Sequence, residues 1–220
     1  MKTVAIYDLD GTLTRTPTFT PFLIFAARKR APWRLTLLPI WLLAMASYKL
    51  DFYSRKRLKT FGMRLLVRRA DDSELYALGE AFARHHLKRS GTNPAVMEML
   101  ENDRGAGHRL VIATAAFEFY ATAFAKHVTI PDVIATRWSA GRFQGRNCHD
   151  VEKLARLKDW LKEQHLAAAD VHLRFVSDSF ADAPLLDWAD EAIFVTESNA
   201  KARRARERGW RLISDAEQGG

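Results

Sequence analysis

Short apolar runs ending in a polar residue recur along the chain: Val4 to Tyr7 before Asp8, then RLVIAT (109–114), DVIAT (132–136), VHLRFVSD (171–178) and EAIFVT (191–196). Continuous apolar runs of this length, without alternation, predict strands buried on both faces. Between them lie helical patterns: NPAVMEMLENDRGAG, with Asn93 as cap and Pro94 at the first helical position, FEFYATAFAKH, DVEKLARLKDWLKEQH and ADAPLLDWAD. Strands alternating with helices predict an α/β fold whose mostly parallel sheet is covered on both sides. Such sheets bind ligands beyond the carboxyl ends of their strands, where Asp8, Thr114 and Asp178 fall.

Residues 17–91 break the alternation. Helical patterns near 19–30, 33–49, 52–69 and 73–90, with no strand between them, read as a helical module inserted after the first strand. SAGRFQGRN, with Gly141 and Gly145 bracketing a short run, reads as a hairpin. NAKARRARERGW reads as a solvated helix of mixed charge before a last strand, WRLIS.

At 220 residues, 48% apolar and 27% charged, the chain is long enough for a substantial core and too apolar for disorder. Its formal charge of +8 is unevenly spread: residues 15–69 hold thirteen Lys or Arg against the single acid Asp51, so the remainder is net acidic. A lone cysteine, Cys148, excludes an internal disulfide framework and accords with a reducing cytoplasm; its expected role is structural. MKTVAIYDLDG meets two aspartates too early for a signal peptide and reads as a first strand.

The first strand ends in YDLDGTLT. Asp8 and Asp10, two residues apart, project toward one strand end, and two carboxylates that close repel unless a hard cation such as Mg²⁺ lies between them. Gly11 lets the backbone approach a ligand, and backbone N–H groups of the turn suit phosphoryl oxygens. The competing reading of DLDG is a plain turn. Thr114 stands at the end of the second long strand, where a hydroxyl can reach a phosphoryl oxygen or serve structure alone. Lys153, in the first turn of a helix, is a phosphate ligand or a solvated lysine. FVSDSFADAPLL adds Asp178 and Asp182 to the same rim. The histidines 85, 86, 149, 165 and 172 show no metal spacing and are expected to be structural.

In order and spacing, DLDGTLT, Thr114, Lys153 and SDSFADAPLL resemble the four motifs of the haloacid dehalogenase superfamily of phosphatases. The helical module directly after the first motif resembles the phosphoserine-phosphatase-like branch. The resemblance implies a three-layer, Rossmann-like core of residues 1–16 and 92–220 and an all-helical cap of residues 17–91. It implies Asp8 as nucleophile through an aspartyl-phosphate, Asp10 as general acid and base, and Thr114 and Lys153 as phosphoryl ligands. Mg²⁺ would be held by Asp8, Asp178 and the backbone of Asp10; Asp182 would support the metal through water or brace Lys153. Gly11, Thr12 and Ala115 would bind phosphate through the backbone. Ala115 and Ala116 depart from relatives that often place a small hydroxyl or glycine there, which puts leaving-group contacts in doubt.

The apolar stretch RLTLLPIWLLAMASYK, Arg34 to Lys49, encloses fourteen uncharged residues. As a helix they measure roughly 21 Å, short of a hydrocarbon core of roughly 30 Å, so spanning is disfavoured, and Pro39 would kink the helix. Apolar side chains in every direction around the axis, flanked by basic residues, suit an anionic membrane surface, with Leu35, Leu38, Trp41 and Leu42 as contacts. A buried cap core or a dimer interface is the alternative. The cap resembles the phosphatidylglycerophosphatase C type of bacterial enzyme, which implies a lipid phosphate monoester as substrate and a cytoplasmic protein peripheral to the inner face of the cytoplasmic membrane. Nucleic acid is not expected, because side chains so large and apolar have no use on a phosphate backbone. A soluble phosphatase for phosphoserine or histidinol phosphate, and a catalytically silent membrane-binding regulator, are the other functional classes.

Overall fold

The computed structural model describes residues 2–214. The first strand, β1 (Lys2–Tyr7), leads through a loop into four helices, α1 (Phe19–Arg30), α2 (Leu38–Lys49), α3 (Arg55–Gly62) and α4 (Asp72–Ser90). The chain then alternates: α5 (Pro94–Gly105), β2 (Arg109–Phe117), α6 (Glu118–His127), β3 (Asp132–Ser139), β4 (Arg142–Gln144), α7 (Val151–Glu163), β5 (Val171–Ser177), α8 (Ala183–Leu186), β6 (Glu191–Val195), α9 (Asn199–Glu207) and β7 (Arg211–Ile213). The seven strands form one sheet in the order β4-β3-β2-β1-β5-β6-β7, parallel except for the β3–β4 hairpin. This is the three-layer α/β architecture that the alternation of runs predicts.

Strand periodicity sorts the core into two layers. Ala5 and Tyr7 of β1 pack with Leu110 and Ile112 of β2 under α5, α6 and the helical module, whereas Val4 and Ile6 pack with Val111, Phe175 and Leu157 under α7 and α8. Both faces being covered explains why the strands read as unbroken apolar runs. The helical module joins the first of these layers through aromatic side chains: Phe22 of α1 stacks on Tyr120 of α6 at 5.1 Å, and Phe82 of α4 meets Phe22 at 5.4 Å and Phe124 at 5.9 Å. Gly79 makes that closeness possible, since a Cβ there would lie 2.1 Å from the backbone oxygen of Phe119.

The apolar stretch departs from expectation. It is not one helix but a 3-10 segment, Pro32–Leu37, followed by α2, and Pro39 lies in the first turn of α2, where a missing N–H costs nothing, rather than at a kink. Likewise the pattern over 52–69 resolves into α3 and a π-helical turn, Met63–Val67, and ADAPLL yields only one turn of α-helix. One stripe of α2, Leu38, Trp41, Met45 and Tyr48, faces inward at helical spacing. Trp41 is 1% exposed and sits edge-on to Phe19, so it is no surface contact. Leu35 and Leu38 are half-buried against the same cluster. The opposite stripe is open: Ile40, Leu42 and Leu43 are 48–69% exposed, and Trp33, Leu50, Phe52 and Phe61 nearby in the chain are exposed as well. Among the described residues no helix is long and apolar enough to cross a membrane.

The two stripes are separable by substitution. Trp41→Ala should cost about 3–5 kcal/mol, the range for emptying a buried aromatic site, while Leu43→Ala should stay within about 0.5 kcal/mol. Chemical denaturation of the two variants measures both.

Candidate active site

The carboxyl end of β1 carries Asp8, whose N–H donates to the Val176 carbonyl of β5 at 2.9 Å. The chain then turns tightly through residues 9–14, pinned by Thr14, whose N–H and hydroxyl both donate to the Leu9 carbonyl at 2.9 Å. Gly11 has φ +75°, and a Cβ there would come within 2.4 Å of Asp178 Oδ2, so both conformation and space require glycine. That near-contact leans Asp178, just past β5, over the turn after Asp8. Thr12 is fully buried; its hydroxyl accepts from the Asp178 N–H at 3.1 Å and ties the two loops together.

Lys153 enters from the first turn of α7. It is 1% exposed, and its ammonium donates to Asp8 Oδ1 at 3.0 Å and Asp182 Oδ2 at 2.7 Å. Ser177 donates to the same Asp182 oxygen at 2.7 Å. Asp182 therefore braces Lys153. Burial alone would push the Lys153 ammonium down, but Asp182 and Asp8 outweigh it and hold it above the usual lysine range. Burial raises the Asp8 carboxyl above the ordinary carboxylate range; Lys153 opposes this, and Asp182, Asp178 and Asp10 add to it. Burial, with Asp10 and Asp182 nearby, likewise raises Asp178 to about 6.

Asp8, Asp10, Thr114, Ala115, Lys153, Asp178 and Asp182 line one crevice of about 170 Å³, together with Pro17, Arg55, His149 and Ser179. Gly11 and Thr12 lie in the turn behind it. Thr114 falls not at the end of β2 but inside it, where the β2–β3 register shifts between Ala113 and Phe117. This irregularity turns Thr114 and Ala115 toward the crevice instead of continuing the ladder. Asp10 is held from the helical module: Oδ1 accepts from the N–H of Thr18 at 2.8 Å and its hydroxyl at 2.6 Å. Thr18 precedes α1 but caps nothing with its side chain.

Arg55 and Thr18 belong to this site although no motif in the sequence marks either: Arg55 sits in a run of cations that suits an anionic surface, and Thr18 holds Asp10 from just before α1. From the sequence His149 is expected to be structural. His149 lines the crevice, and burial holds its imidazole down to about 4, neutral near pH 7. Asn147 and Cys148, just before it, pack against β3, whose Thr136 hydroxyl accepts from the Cys148 N–H at 2.9 Å. That tie carries His149 to the rim.

The donor set suits a hard divalent cation. Asp8 and Asp178 offer oxygen ligands whose carboxyls are raised chiefly by burial, and the Asp178 carboxylate has no ion-pair partner among the described residues. Among those residues no three acidic, histidine or cysteine side chains form a ready-made cage. Mg²⁺ needs none, because it takes much of its octahedral shell from water and substrate phosphate.

A pH signature follows. With its folded pKa raised, Asp178 is protonated in the fold at pH values where the unfolded chain has lost the proton, so its contribution to stability is lost as pH rises from about 4 to about 6. In chelator, Asp178→Asn should raise the unfolding midpoint at pH 8 by roughly 3–6 °C and flatten the decline over that window. Thermal unfolding across pH checks both.

Comparison with known proteins accords with this geometry. Protein CicA of Caulobacter vibrioides is 28% identical over 197 residues, covering 84% of this chain and 82% of its own. The crystal structure of a protein of unknown function from Bordetella pertussis Tohama I superposes with a TM-score of 0.86 at 26% identity, covering 97% of this chain and 98% of that one. At the level of fold alone, a phospho-aspartyl intermediate analogue of phosphoserine phosphatase superposes with a TM-score of 0.63 at 14% identity, covering 96% and 93%. A phosphoserine phosphohydrolase-like protein from Francisella tularensis gives 0.62 at 15% identity, covering 97% and 95%. The family model for haloacid dehalogenase-like hydrolases matches residues 5–187, from the middle of β1 to just past Asp182, and the chain belongs to that family.

Proposed function

We propose that the protein is a Mg²⁺-dependent phosphomonoesterase that works through an aspartyl-phosphate on Asp8 and acts on a lipid phosphate at a membrane surface. The observation that carries the chemistry is the convergence of Asp8, Asp10, Thr114, Lys153 and Asp178 on one small crevice. An Asp8 oxygen attacks phosphorus and the bond from phosphorus to the ester oxygen breaks. Asp10, held in place by Thr18, donates the proton that the leaving oxygen takes up. Asp10 then takes a proton from water, whose oxygen attacks the same phosphorus, releasing inorganic phosphate and the Asp8 carboxylate. Lys153 and the Thr114 hydroxyl meet the charge that gathers on the phosphoryl oxygens. Asp8, Asp178 and the Asp10 backbone would hold Mg²⁺, which when bound would supply the countercharge that keeps these acids ionised beside a phosphate dianion.

Support for the lipid comes from the helical module. Leu50 and Phe52, 70% and 73% exposed, stand five and three residues before Arg55, which lines the crevice. The open stripe of α2 adds Ile40, Leu42 and Leu43. These residues lie within the stretch that carries twelve net positive charges, suited to an anionic bilayer at about 1 kcal/mol per basic residue near it. A soluble phosphatase of small metabolites is the second reading, favoured by the burial of Trp41, which takes much of the apolar stretch into the cap core.

Release of phosphate from phosphatidylglycerophosphate in mixed micelles tests the activity: it should need Mg²⁺ and fall more than about 1,000-fold in Asp8→Asn, as loss of a nucleophile does. Vesicle co-sedimentation tests the membrane. Ile40→Glu with Leu43→Glu should weaken retention on anionic vesicles about tenfold while leaving hydrolysis of soluble esters intact. Equal turnover of soluble esters with no vesicle binding would favour the second reading.

A further inference from the structure

Of the cations in α3, Lys56 and Arg57 are exposed and Arg55 is half-buried, but Lys59 is 3% exposed. Its ammonium donates to the Ala115 carbonyl at 2.5 Å and to Asn147 Oδ1 at 3.1 Å, and lies 4.8 Å from the Phe117 ring centre and 5.5 Å from that of Phe19. No carboxylate is among these partners. The Thr136 hydroxyl meets the same two acceptors, at 2.8 Å and 3.1 Å. Burial, reinforced by Arg55, holds the Lys59 ammonium down to about 7. Burying a lysine among neutral acceptors is costly, and an apolar side chain would pack there at less expense. What the lysine supplies is a directed hold on one carbonyl.

That carbonyl belongs to the irregular part of β2, where regular pairing with β3 lapses between Ala113 and Phe117. A trans peptide is planar, so fixing the Ala115 C=O aims the Ala116 N–H the opposite way. The Ala116 N–H donates to Thr114 Oγ1 at 3.1 Å. A hydroxyl oxygen that accepts there turns its own proton elsewhere. Among the described residues Thr114 Oγ1 donates to no protein acceptor, and Thr114 lines the crevice.

We propose that Lys59 is a positioning residue for Thr114: from the cap, it orients the Ala115–Ala116 peptide so that the Thr114 hydroxyl presents its proton to a phosphoryl oxygen. The inference rests on the phosphatase reading of the crevice. It makes the donor complete only while α3 is docked on the sheet.

A double-mutant cycle on para-nitrophenyl phosphate hydrolysis tests this. Lys59→Met should lower kcat about 10- to 100-fold, the scale of losing one well-aimed donor, with KM within about threefold. In a Thr114→Val background the same substitution should cost less than about twofold, because its route is already gone. Thr136→Val, which removes the second hold on the same carbonyl, should lower kcat in the same direction. Should Lys59→Met fail to unfold cooperatively, Lys59→Gln, whose amide keeps N–H donors without the charge, takes its place with an intermediate loss. Losses that multiply in the double variant, a loss carried by KM, or a single variant within twofold of wild type would overturn the inference. Wild-type protein that hydrolyses no phosphate ester would overturn the underlying reading instead.

Discussion

One buried ammonium organises the site. Lys153, enclosed by α7 and the sheet, is shared between Asp8 on β1 and Asp182 beyond β5, and so fixes three elements at one point. Such a triad contributes little net stability, since desolvation offsets much of the attraction, but removing either partner leaves an uncompensated buried charge. Four carboxylates, Asp8, Asp10, Asp178 and Asp182, nevertheless face that lysine and Arg55 in one crevice. Burial, and after it the neighbouring acids, raises the Asp8 and Asp178 carboxyls. Such a pocket suits a cation and, with that countercharge in place, an incoming dianion.

The helical module is part of this site and not merely its roof. Thr18 at the entrance of α1 sets the orientation of Asp10. Lys59 in α3 holds the irregular stretch of β2, and Lys56 reaches the Gly145 carbonyl beside the hairpin at 3.0 Å. Arg55 lines the crevice directly. Because Phe22, Phe82 and Tyr120 merge cap and core into one apolar layer, these polar contacts rest on a rigid support.

What the sequence made legible has a physical pattern. Strands covered on both faces appear as plain apolar runs, so β1, β2, β3, β5 and β6 could be located, and Asp8 and Asp178 with them. Spacing could not show that Thr114 sits within a strand irregularity, because a bulge leaves no mark on composition. Lys59 was hidden for a different reason: four cations in RKRLK look alike until tertiary packing buries one of them. The apolar stretch failed as a guide to its own orientation because a helix hydrophobic on all sides carries no periodic signal. The pattern therefore assigns Trp41 to the membrane surface, and its burial edge-on to Phe19 overturns that assignment.

The central claim is that Asp8 becomes covalently phosphorylated. The most direct measurement is intact-protein mass spectrometry after mixing enzyme, Mg²⁺ and a phosphate ester and quenching in acid within milliseconds. A phosphoryl adduct that is labile to hydroxylamine and maps to Asp8 is the predicted result. Steady ester hydrolysis with no adduct on any time scale, or an adduct on another residue, would contradict it.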